Sequence, residues 1–86
     1  MRNPRVDPCV GDKLKGQNQI RAVISVGERK NVLPKGYGEH LPEKETIVCY
    51  KRKNGDQDWC TLKVWRRWAA NAKEIINPPF TFTRRT

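Results

Sequence analysis

Eighty-six residues make one domain with one modest core and leave no room for a separate catalytic unit. With 18 basic against 9 acidic side chains the net charge is +9, which favours an acidic partner: nucleic acid first, the acidic surface of a host protein second. Three cysteines without paired spacing argue against a secreted disulfide framework, the first residues carry no apolar leader, and no stretch nears the roughly 20 apolar residues of a membrane span; a cytoplasmic protein with no membrane partner is expected.

Along the chain, residues 1–9 hold two prolines and three charged groups and read as a loose N-terminal arm. Val10 to Lys15 is expected to be a first short strand, followed by a turn at Gly16-Gln17-Asn18. Ile20 to Val26 alternates, with Ile20, Ala22, Ile24 and Val26 on one face and Arg21, Val23 and Ser25 on the other, the mark of a half-buried strand. Gly27 to Glu45 is a long connection rich in Pro, Gly and both charge signs; connections this long are either binding loops or plain insertions.

Thr46 to Arg52 is β-branched and aromatic, and runs into Asn54-Gly55, a strong hairpin signal. A two-residue turn there sets Lys53 opposite Asp56, Arg52 opposite Gln57, Lys51 opposite Asp58, Tyr50 opposite Trp59, Cys49 opposite Cys60 and Ile47 opposite Leu62. On that register Ile47, Cys49, Cys60 and Leu62 face the core, while Val48, Tyr50, Arg52, Gln57, Trp59 and Thr61 face away. From Leu62 the period changes. Leu62, Trp65, Ala69 and Ala72 recur at helical spacing, which predicts a short helix from Leu62 to Ala70 capped by Thr61, with Trp65 in the core. Lys73 to Ile76 forms a last strand stopped by Pro78-Pro79, and residues 77–86 are expected to be a flexible basic tail whose Phe80 and Phe82 could dock on a neighbouring copy.

The expected fold is mainly β: a closed, small five-stranded barrel over residues 10–76, with one short helix between the last two strands and a long loop after the second. Closure removes exposed edges. The chain resembles SH3-like small barrels of the basic kind encoded by tailed phages and prophages. The residues that carry the likeness are Val10-Gly11-Asp12, Arg21-Ala22-Val23, Val48-Cys49-Tyr50 and Thr61 to Ala69 followed by Glu74-Ile75-Ile76. The resemblance implies a binding role, although fold alone does not fix function. Thr61-Leu62, Arg66-Arg67-Trp68-Ala69 and Pro78-Pro79 are also similar to the recognition-helix region of phage excisionases, a family in which more chain follows the prolines than the seven residues present here.

The excess positive charge lies in three places. Residues 1–27 carry five basic and two acidic groups, residues 51–67 carry six and two, and the tail adds Arg84 and Arg85, while residues 28–45 cancel at four of each. The candidate nucleic-acid site is Lys51, Arg52 and Lys53 with Tyr50 and Trp59 as base-stacking surfaces, joined by Lys63, Arg66 and Arg67 of the helix for phosphate contacts. The alternatives are a covered aromatic pair and a plain solvated helix face. Basic ends carrying Arg2, Arg5, Arg84 and Arg85 either clamp nucleic acid or are merely frayed. A protein-interaction module would use Tyr37 and Trp68 as anchors. Cys9, His40, Cys49 and Cys60 lack zinc-site spacing, and no phosphate loop or activated nucleophile is visible, so no metal, cofactor, small-molecule substrate or enzymatic activity is expected.

Overall fold

The computed structural model describes residues 3–76. They form one five-stranded antiparallel sheet: β1 (Lys13–Lys15), β2 (Ile20–Glu28), β3 (Thr46–Arg52), β4 (Gln57–Thr61) and β5 (Glu74–Ile75). A single-turn helix α1 (Arg29–Val32) follows β2, and helix α2 (Leu62–Ala70) joins β4 to β5. The strand order is β4-β3-β2-β1-β5. The first four strands meander, and β5 returns to the free side of β1, setting Leu14 opposite Ile75 and Lys15 opposite Glu74. The sheet is open, with β4 and β5 at its two edges, so the expected closed barrel is corrected to a curved sheet with α2 packed on its inner face.

The helix forms where its apolar spacing placed it. Thr61 Oγ1 accepts the Val64 N–H at 3.2 Å, capping the first turn, and Trp65 and Ala69 are buried. Around them sits the main core of Leu14, Val23, Val48, Tyr50, Cys60 and Ala72.

The hairpin register is one residue away from the sequence expectation. Lys51 opposes Gln57, Tyr50 opposes Asp58, Cys49 opposes Trp59, Val48 opposes Cys60 and Ile47 opposes Thr61. The cause lies in the turn. The Gly55 N–H donates to Arg52 O at 2.9 Å and the Arg52 N–H to Asp56 O at 2.7 Å, with Gly55 at φ 94°. This is a three-residue loop, Lys53-Asn54-Gly55, with the glycine in the left-handed position, rather than a two-residue turn. Asn54 supports it by accepting the Asp56 N–H through Oδ1 at 3.0 Å. A slip of one residue reverses the faces of one strand relative to the other, and here Cys60 and Trp59 of β4 keep their expected sides while β3 is reversed. Val48, Tyr50 and Cys60 therefore point into the core, and Cys49 and Trp59 point outward.

Strand β2 carries a second departure. Val23 opposes Tyr50 and Ser25 opposes Cys49, which leaves Ile24 as an extra, unpaired residue. The bulge reverses the alternation, so Arg21 and Val23 face inward before it and Val26 after it. The single apolar face expected from Ile20 to Val26 is thereby split between the two sides.

The outer face of the sheet is half covered. At the end where β3 begins, α1 and the turns after it lie on Ile47 and Cys49, both buried. The Cys49 thiol points at Val32 O at 3.9 Å, and Gly38 sits against Leu33 and the Trp59 ring. At the other end, where β1, β2 and β3 run beside each other, no described helix lies on the outer face.

Residues 3–9 are not a loose arm, while Arg2 lies outside the described residues. Pro4 and Pro8 are buried. The indole N–H of Trp65 donates to Pro4 O at 3.1 Å, Arg66 Nε donates to Val6 O at 2.9 Å, and Arg5 Nη1 donates to both Ala69 O and Ala72 O at 2.7 Å. The segment binds the helix, and Arg5 brings a cation to its C-terminal end, where Ala69 O also accepts the Ala72 N–H at 3.0 Å. The tail of residues 77–86, with Phe80, Phe82, Arg84 and Arg85, lies outside the described residues.

Candidate functional site

The alternation Lys13-Leu14-Lys15 buries Leu14 completely and turns both lysines outward. Ala22 of β2 lies opposite Lys13 on one side and Lys51 of β3 on the other, so Lys13, Ala22 and Lys51 form one row across three strands. Lys15 lies opposite Ile20 in the next row, and Lys53 of the hairpin loop shares a hollow of about 360 Å³ with Lys13, Ile20, Ala22 and Lys51. Adjacent strands are about 4.8 Å apart, which places the two lysine columns about 10 Å from each other. The result is a trough with lysines on both walls and a small apolar floor of Ala22 and Ile20.

At the loop end the trough opens into a second hollow of about 390 Å³. It is lined by Lys15, Gln17, Asn18, Gln19, Lys53 and Asn54 among others, and lies between the β1–β2 and β3–β4 turns. Among the described residues, none of Lys13, Lys15, Lys51 and Lys53 is in an ion pair. Glu74 is the carboxylate nearest in register, opposite Lys15 on β5. Asp58 is turned to the inner face, where it is bonded to Arg52. That bond holds the Arg52 guanidinium above its ordinary pKa.

The inner face holds the aromatic side chains. The Arg21 guanidinium lies between two rings, 4.4 Å from the Tyr50 centroid and 4.2 Å from that of Trp68. Trp65 completes the stack, 6.2 Å from Tyr50 and 5.2 Å from Trp68. Arg21 Nε donates to Gln19 Oε1 at 2.5 Å, while its Nη1 is buried without a partner. Burial raises the Tyr50 pKa, the Arg21 charge opposing that in part, and pushes the Cys60 thiol up to about 11.

The sequence-derived candidates therefore separate. Lys51 and Lys53 belong to the trough. Arg52 is engaged with Asp58 on the inner side. Tyr50 is 3% exposed and is no stacking surface, and Trp59 is on the opposite face, beside Gly38, so the expected aromatic pair does not exist. Lys63 and Arg66 flank Leu62 and Thr46 at the far end of β3, about 20 Å of strand away from Lys51–Lys53. Arg66 is further committed to Val6 O and, at 3.6 Å, to Asp7. Arg67 is exposed on α2, which packs on the inner layer. Tyr37 is 55% exposed, whereas Trp68 is held against the core by Arg21 and Trp65. Residues missed from the sequence are Lys13, Lys15 and the amides of the first turn. The signal for the lysines was a polar-apolar-polar triplet, hidden inside a longer strand assignment.

Among the described residues, no three His, Cys, Asp or Glu side chains gather as a metal site would need, and no helix is long and apolar enough to cross a membrane. No family model, curated protein or solved structure matches the chain.

Proposed function

We propose that this is a non-enzymatic nucleic-acid-binding domain of SH3-like type that holds its ligand in the lysine trough. The observation that carries the reading is the outer face where Lys13, Lys15, Lys51 and Lys53 converge, among the described residues, without ion-pair partners. Three arginines elsewhere are used internally, Arg5 on backbone carbonyls at the end of α2, Arg52 on Asp58 and Arg66 on the N-terminal segment, while Lys63 and Arg67 lie exposed on α2. The strand order with a helix between β4 and β5 supports the SH3-like part of the reading. Docking on an acidic protein through Tyr37 and Trp68 is less well supported. Tyr37 precedes the glycine that touches Trp59 on the outer face, whereas Trp68 packs on the inner one, so the two do not form one anchor pair.

Gel retardation of DNA and RNA at low salt tests the proposal. Retardation is expected, weakening between about 50 and 200 mM salt as released counterions lose their advantage. The variant with all four trough lysines changed to Gln should lose it. A wild-type protein that retards no nucleic acid at low salt ends this reading.

A further inference from the structure

We infer that the trough takes one phosphodiester backbone of a duplex, without sequence preference, rather than a single strand. This rests on the nucleic-acid reading above and narrows it. The first argument is spacing. Successive lysine rows, Lys13–Lys51 and then Lys15 with Lys53, are two residues apart along the strands, or roughly 6.7 Å. One strand of a duplex winds about its axis while rising about 3.4 Å per step, so its successive phosphates are separated by about the spacing of these rows. A backbone lying between the columns meets an ammonium from each wall at each of two successive phosphates. The floor of Ala22 and Ile20 offers no donor or acceptor side chain to a base edge.

The second argument is the fate of the rings. Proteins that grip single strands gain roughly 1–3 kcal/mol per base by stacking on aromatic side chains. Here Tyr50, Trp65 and Trp68 are stacked with Arg21 on the inner face, and Trp59 packs by Gly38 at the covered end. Among the described residues the trough supplies cations and no ring. A duplex, whose bases are already stacked on each other, needs nothing more, and its denser charge releases more counterion per contact. The amides of Gln17 and Asn18 at the open end are placed to bond phosphate or sugar oxygens, contacts that position without reading sequence.

The experiment is equilibrium binding of the whole chain to a short mixed-sequence DNA duplex and to each of its separated strands, measured by fluorescence anisotropy across a salt series. The duplex should bind more tightly than either strand, and an unrelated duplex equally well. Lys13→Gln with Lys51→Gln should weaken duplex binding and reduce the log–log salt slope by about 1.8, the value for two phosphates. Lys63→Gln with Arg67→Gln, on α2, should leave that slope unchanged. Circular dichroism of each variant confirms that the exposed changes leave the fold intact. Tighter binding of a single strand, or a slope flattened by the helix pair and not by the trough pair, overturns the inference while leaving nucleic-acid binding standing. No binding to duplex or strand sinks both.

Discussion

At Gly16 the chain passes so close to Trp68 that a Cβ there would lie 2.8 Å from ring atom Cζ2. The ring cannot yield freely, because Arg21 and Trp65 hold it from other sides. Gly16→Ala is therefore expected to destabilise the fold by about 1–3 kcal/mol through overpacking. Trp68→Leu in the same chain should recover part of that loss, a coupling that a denaturant double-mutant cycle measures. Purely additive effects would mean that the two residues do not meet. Cys60 gives a second residue-scale expectation. Its folded pKa is raised by burial from the ordinary 9.0 to about 11. As pH rises past 9 the unfolded chain releases a proton that the folded chain keeps, so stability present below that point is lost progressively up to about pH 11. The urea midpoint should fall across this window, and fall less in Cys60→Val. Tyr50 is raised mainly by its own burial and in part by the Cys60 charge, so the difference reports the thiol together with its coupling to Tyr50.

Among the elements, α2 was the most legible in the sequence and the hairpin the most deceptive. Thr61, Leu62, Trp65 and Ala69 report one helix face and one cap, and local spacing suffices to place them. The hairpin was located correctly by Asn54-Gly55, but a single residue of turn length decides which β3 and β4 side chains share a face, and dipeptide identity does not set that length. The Ile24 bulge is likewise invisible locally, since it depends on how β2 meets β3. These two shifts explain why Tyr50 was expected outside and why the lysine rows were overlooked: a row across three strands exists only once registers are fixed. The docked N-terminal segment was illegible for a related reason, its partners lying some sixty residues away. Its importance can be measured. Arg5→Met keeps the aliphatic stem and removes two bonds to helix carbonyls, Ala69 O and Ala72 O. Charged hydrogen bonds contribute about 1.5–3 kcal/mol, so a loss of that order is expected in thermal or urea unfolding. Unchanged stability would mean that the segment does not hold the helix end in solution.

For the whole molecule, a net charge of +9 is a field as well as a sum. Residues 28–45 hold four charges of each sign, so the excess falls on the outer lysines of the sheet, on α2 through Lys63, Arg66 and Arg67, and on the terminal segments of the sequence. Concentrating lysines on the sheet opposes folding. Two ammoniums about 10 Å apart in unscreened water repel by about 0.4 kcal/mol, and the six pairs among four lysines sum to roughly 2 kcal/mol. At about 0.1 M salt, where the Debye length is also about 10 Å, roughly a third of that remains. Glu74 opposite Lys15 offsets part of it. The folded protein should therefore gain stability as salt is raised from very low concentration. The variant with Gln at all four trough positions should be more stable than the parent at low salt, by about 1 kcal/mol, with the gap narrowing as screening increases. A polyanion in the trough relieves the same repulsion, which ties the stability of this face to the affinity expected of it. Thermal melts of parent and variant across a salt series measure the effect without any ligand. A variant less stable than the parent at every salt would show that attractions inside the protein hold these lysines, and the face would then have no electrostatic reason to seek a phosphate backbone.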